Sequence, residues 1–226
     1  MSIKKISVKN IITFRKKSDK SKKTFLKSLD KVKTIESESG GNYWVRSLSA
    51  LSNTFKTNDK QYIKDKINDI SEDYNQSKLK QTKDMYQRNL DILYNYEDFD
   101  FSTWYPNKTF KILDKVNKKS IVEIHKVPVQ IIPNQVFTFK DNKIDYVGAI
   151  WFVAKLDGYG KAEFGIFAEA LFYYLKNNFS KKYEVSPENC LIVDVLNIDE
   201  VNYQMVLDNK IPAILKETLK SIRENL

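Results

Sequence analysis

From Val147 to Leu156 the chain reads VGAIWFVAKL, apolar at successive positions until Lys155. Side chains alternate across a strand, so an extended segment apolar on both sides has to be covered on both faces. This predicts a central strand, and the rest of the chain must supply a layer on each side of it.

The first half supplies helices. Phe25, Leu26, Leu29 and Val32 fall on one helical face over Asp19–Lys33, with Ser18 as N-cap. ESESGGNYW breaks the pattern at Gly40-Gly41. Val45, Leu48, Leu51 and Phe55 give a second helix. Ile63, Ile67, Ile70 and Tyr74 stripe a third, capped by Asn58, and Leu79, Tyr86, Leu90 and Leu93 stripe a fourth. A short helix is expected around Lys108–Val116, after Pro106.

The second half changes to β-branched and aromatic runs. Ile121–Lys126, Val129–Phe139 and Ile144–Leu156 read as strands, with the turn KDNK before the last. After the loop DGYGK, Ala162–Asn178 is a helix apolar almost all round. Leu191–Asn197 is a further strand, and a helical tail is interrupted at Pro212. A helix between strands is a crossover that brings the last strand beside the meander in a mixed sheet. The fold class is α+β with an α/β core. Residues 1–117 form a mainly helical region with a basic arm at 1–35, residues 118–226 form the core, and the two make one compact unit.

The net charge of +9 is concentrated. Residues 1–35 hold twelve Lys or Arg against two Asp or Glu, and the remainder holds 26 against 27. An arm of this kind, with Lys16, Lys17, Lys22 and Lys23 at its centre, suits nucleic acid, a protein partner or solubility alone. Only four of the 38 basic residues are Arg, the usual choice for bidentate phosphate contacts. No apolar run reaches the roughly 18 residues of a membrane span. The lone Cys190 reads as a buried free thiol, and a cytoplasmic setting follows. With one Cys and one His, zinc has no ligand set, and no cofactor is expected.

Polar residues inside apolar segments need partners. Lys155 ends the central strand, Glu169 is the only charge in FGIFAEALFYYL, Asp194 interrupts LIVDVL, and Gln130 interrupts VPVQII. A crossover helix laid on the Lys155 face would let Lys155 pair with Glu169, and Tyr173 shares the helix face of Glu169. The pairing has two readings, a structural ion pair or part of a site. His125 has no triad partner by motif, and DGYGK reads as a tight connection. Trp44 in SGGNYW reads as a core anchor, with base stacking as the alternative.

Pro133-Asn134, Val153-Ala154-Lys155 and Glu169-Ala-Leu-Phe-Tyr173 together resemble the PD-(D/E)XK nuclease superfamily over about residues 120–197. They stand where that family has Pro-Asp, D/E-x-K and, in RecB-like and Cas4-like members, Q-x-x-x-Y. The resemblance implies a helix, three-strand meander, helix and strand. It also implies a site at Asn134, Lys155 and a migrated acid, Glu169 or Glu163. The family's chemistry needs two carboxylates around a divalent ion. Asn134 has lost the charge of Asp, and Val153 coordinates nothing. Asp145 lies some ten residues before Lys155, roughly 30 Å along a strand.

The resemblance therefore implies a degenerate core in a non-catalytic binding subunit of a nucleic-acid-processing or phage-defence assembly. One alternative is a Mg²⁺-dependent nuclease with a rearranged site using Lys155, Glu169 and Asn134 or Asp194, with Tyr173 and Gln130 nearby. The other is a structural protein that meets only protein partners.

Overall fold

The computed structural model describes residues 3–29, 43–106, 109–113 and 120–226. Its centre is a five-stranded sheet built from β2 (Phe110–Ile112), β5 (Gln135–Asp141), β6 (Ile144–Val153), β7 (Glu184–Asp194) and β8 (Asp199–Asn202), in the order β2-β5-β6-β7-β8. β6 and β7 are parallel, and the other neighbours are antiparallel. The parallel pair exists because α6 (Lys161–Phe179) carries the chain back between them.

VGAIWFVA is covered on both faces, as its composition demands. Val147, Ala149 and Val153 enter the core shared with Phe164, Phe167 and Leu171 of α6. Ile150, Phe152 and Ala154 enter a second core on the opposite face. Leu51 and Phe55 of α3 (Val45–Thr57), Ile63 and Ile70 of α4 (Gln61–Gln76), and Leu90, Leu93 and Tyr96 of α5 (Lys80–Tyr96) make up much of that layer. A 3-10 turn, Phe101–Trp104, completes it. Two-residue turns close the β3–β4 and β5–β6 hairpins. Asn142 and Lys143 both have positive φ between β5 and β6, as do His125 and Lys126 between β3 (Ile121–Ile124) and β4 (Val127–Gln130).

Several expectations are corrected. Val129–Phe139 is not one strand. β4 ends at Gln130 in a separate three-stranded sheet, and the chain crosses at Ile131–Asn134, where Pro133 offers no N–H, to begin β5. Part of the expected Lys108–Val116 helix is the edge strand β2, paired with Phe137–Phe139. Lys108 and residues 114–116 lie outside the described residues, as do Gly40-Gly41 and residues 30–33 of the first predicted helix. Asn58 ends α3 in the left-handed region instead of starting α4, and Asp59 Oδ1 accepts from Gln61 N at 2.9 Å. Leu79 is not part of the buried stripe of α5; it precedes the helix and is exposed. His125 sits in a turn, not on a strand.

The described part of the basic segment is no free arm. β1 (Ile6–Ser7) pairs in parallel with β4. Ser7 Oγ caps α1 (Val8–Arg15) by accepting from Asn10 N at 3.2 Å. Ile6, Ile11, Ile12 and Phe14 lie in the same core as α6, and Leu26 anchors α2 (Asp19–Leu29) there. Apolar burial thus fixes the lysines of this segment to the sheet. Two further helices end the chain, α7 (Tyr203–Leu207) and α8 (Leu215–Glu224). Among the described residues, no helix is long and apolar enough to cross a membrane.

Candidate functional site

β6 and β7 end together, and Lys155 lies just past that end. In open α/β sheets this edge, at the carboxyl ends of parallel strands, is where ligands enter. Lys155 Nζ donates to Gly158 O at 2.9 Å and stands 5.2 Å from the centre of the Tyr159 ring. Gly158 turns the loop with φ +68, a backbone conformation suited to glycine. Glu163 Oε2 then accepts from Gly160 N at 3.0 Å at the start of α6, and its Oε1 pairs with Lys16 at 2.6 Å. That carboxylate, first by its hydrogen bond, holds the Lys16 ammonium above the usual lysine range.

The result is an open cleft of about 570 Å³. Lys9, Thr13, Lys16 and Lys17 line one side, Lys155 and Tyr159 another, and Tyr43 and Trp44 a third. The two aromatic rings meet edge-on, with centroids 4.6 Å apart. Buried Asn89 on α5 fastens their backbone. Its Nδ2 donates to Tyr43 O at 2.8 Å and Met85 O at 2.9 Å, while its Oδ1 accepts from Ser47 N at 3.2 Å and Ser47 Oγ at 2.9 Å. Arg88 donates to Tyr43 Oη at 2.5 Å. Burial, and then the charges of Glu163 and Asp194, push the Tyr159 phenol up to about 12, so it stays a neutral donor.

Asn134, Lys155 and Asp194 are brought to this one end of the sheet; Gln135 faces Ile150 and Val153 faces Asp194 in the strand register. Two of the three are already committed. Asn134 Oδ1 accepts from Phe152 N at 2.8 Å and so continues the β5–β6 ladder by one step. Asp194 is buried, with Oδ1 accepting from Leu196 N at 3.1 Å and Oδ2 from Asn197 Nδ2 at 2.7 Å. Val153 is buried in the core.

The Lys155–Glu169 pair is not formed. Glu169 lies six residues past Glu163, about 9 Å further along the helix at 1.5 Å per residue. Its Oε1 accepts from Ile214 N and Leu215 N, both at 3.0 Å, and so caps α8 from another element. Burial raises the Glu169 carboxyl above the usual range, and the two backbone donors pull it partly back. Tyr173 is also away from Lys155, packed edge-on against His125 at 5.7 Å. Gln130 ends β4, in the other sheet. Lys22 is tied to Asp19 at 2.8 Å, and Lys23 is exposed on α2. Among the described residues, no three His, Cys, Asp or Glu side chains are grouped to hold a metal ion.

Lys9 and Tyr43 line the cleft without being among the candidates that sequence motifs offer. The signal for Lys9 was present: Lys9, Thr13 and Lys16 are spaced four and three apart, one stripe of α1. Nothing local marked Tyr43, because a distant Asn89 places it. No family model, curated protein or solved structure matches the chain.

Proposed function

We propose that the chain is a non-catalytic nucleic-acid-binding protein with a degenerate nuclease-like core, acting within a nucleic-acid-processing or phage-defence assembly. One observation carries the reading. The positions where a metal-dependent nuclease would hold its acids are Asn134, spent on the Phe152 N–H, and Val153, buried in the core. The same strand end keeps Lys155 in a cleft with Lys9, Lys16 and Lys17. The β5–β6 hairpin, crossover helix and parallel strand follow the order that the resemblance implies, while the expected first strand, Ile121–Lys126, lies in the other sheet and the edge strand β2 stands in its place beside β5; the assembly context rests on that resemblance alone. Lysines gathered at one cleft attract a polyanion. Glu169 does not replace the missing acid, because its carboxylate caps α8.

Incubation with labelled single- and double-stranded DNA and RNA, in Mg²⁺ and then in Mn²⁺, tests this. Retention of intact nucleic acid at low salt is expected in both. Metal-dependent cleavage that Lys155→Ala abolishes would overturn the reading.

A further inference from the structure

We infer that the cleft beside Lys155 is a single-strand site, in which an unstacked base lies against the Tyr43–Trp44 pair and neighbouring phosphates meet Lys9, Lys16 and Lys155. This rests on the nucleic-acid reading above and narrows it to a kind of polymer and a place. Three observations carry it.

The first is the pairing of charge with rings. Tyr43 and Trp44 are only half-buried and line the same cleft as the lysines. A positively charged groove with aromatic side chains is the arrangement that takes single strands without regard to sequence, because every base has a π-face. In a duplex those faces are hidden in the stack. The second is size. The cleft, about 570 Å³, falls within the roughly 300–1,000 Å³ of small-molecule pockets, the scale of a nucleotide rather than of a double helix. The third is preorganisation. Asn89, with all its hydrogen bonds made, fixes the backbone of Tyr43, and Glu163 holds Lys16 in place. Among the described residues, Lys9 has no carboxylate partner, and Lys155 is held by a backbone carbonyl and a ring. Among the described residues, Asp157 is the one acid that lines the cleft, and with Lys16 paired to Glu163, Lys9, Lys17 and Lys155 keep the lining positive.

The other two tryptophans are engaged elsewhere. Trp104 Nε1 donates to Glu200 at 2.7 Å, and Trp151 packs edge-on against Phe167 at 5.2 Å. Trp44 is therefore the tryptophan whose emission should report the ligand.

The test is fluorescence anisotropy with an oligo-dT strand, an oligo-rU strand and a duplex of equal length, for wild type, Trp44→Phe and Trp44→Leu. The single strands should bind more tightly than the duplex, and the comparison of dT with rU shows which of the two strands the cleft prefers. Trp44→Leu should weaken single-strand binding about 10-fold, within the range of a lost base–aromatic stack, and leave duplex binding alone. Trp44→Phe keeps a ring and should retain most affinity. It also guards against simple misfolding, since Trp44 packs on the helical core. Wild-type tryptophan emission should be quenched by the single strand, and that quench should be absent in Trp44→Phe. If single strand and duplex bind alike and Trp44→Leu, folded with an unchanged melting temperature, binds as wild type, this inference is overturned and the broader reading stands. If no nucleic acid binds at low salt, both fall.

Discussion

Glu169→Ala should unfold at a melting temperature on the order of 10 °C below wild type. The residue is 6 % exposed, and its carboxylate is the acceptor for two backbone N–H groups at the start of α8. Removing it leaves Ile214 N and Leu215 N without that acceptor, at about 1–3 kcal/mol each when buried. Ile214 is half-buried and Leu215 fully buried, so a total of about 3 kcal/mol is reasonable, and a chain of this length loses about 2–4 °C per kcal/mol. Glu169→Gln separates the hydrogen bond from the charge. Its amide oxygen still accepts from both donors, so the variant should lie within about 1 kcal/mol of wild type at neutral pH.

The two proteins should also differ in pH dependence. Burial raises the Glu169 carboxyl in the folded chain, so the native state binds this proton more tightly than the unfolded chain does. Its stability contribution is greatest below the ordinary glutamic acid range and is lost as pH rises through the raised value. A glutamine amide in its place does not ionise. The stability of Glu169→Gln relative to wild type should therefore improve as pH is raised from about 4 toward neutrality. Urea midpoints across that interval measure it; a constant difference would contradict the role assigned to burial.

Gly148→Val should be the most damaging single change in the sheet. Gly148 sits at an irregularity in the β6–β7 register, between Val147 and Ala149. A Cβ there would lie 2.7 Å from Asn189 Cβ, 2.8 Å from Asn189 O and 2.8 Å from Phe137 Cε2. Asn189 presents its backbone and Cβ, which no rotamer change moves aside, so the central strands must separate. Overpacking of a well-filled core costs about 1–3 kcal/mol, and this site should reach or exceed the upper end. Gly148→Ala should show much of the effect. Gly160→Ala is the control: nothing lies within 4 Å of its added methyl, and the change should cost less than about 1 kcal/mol. Wild-type-like denaturation of Gly148→Val would show that the strands repack freely at that point.

What the sequence revealed follows from where burial leaves a record. VGAIWFVAKL and FGIFAEALFYYL are apolar on nearly all sides, so a central strand and a covering helix were legible from residue types. The break between β4 and β5 was not, because Val129–Phe139 keeps its β character while the chain changes sheet. That Glu169 and Asp194 needed partners was legible. Which partners they found was not, and the same holds for Asn134, since these side chains bond mainly to backbone N–H groups, and a backbone group has no identity in a sequence. Glu169 missed Lys155 because α6 carries it about 9 Å beyond Glu163, while Glu163 at the helix start reaches Lys16. The basic segment looked like an arm because its lysines mask its apolar residues. Yet Ile6, Ile11, Ile12, Phe14 and Leu26 suffice to dock it, and docking sets Lys9, Lys16 and Lys17 beside Lys155.

These four lysines are expected to bind a polyanion, and the salt dependence of binding is the direct measure of it. Affinity for single-stranded nucleic acid should be measured across a salt series for wild type and for the quadruple variant Lys9→Gln, Lys16→Gln, Lys17→Gln, Lys155→Gln. Each neutralised phosphate on a single strand contributes about −0.7 to the slope of log K against log salt. With three or more phosphates neutralised, the wild-type slope should be about −2 or steeper. The quadruple variant should lose most of it while keeping the wild-type circular dichroism spectrum. A wild-type slope near zero, or a folded quadruple variant with the wild-type slope, would show that these lysines do not bind the phosphates.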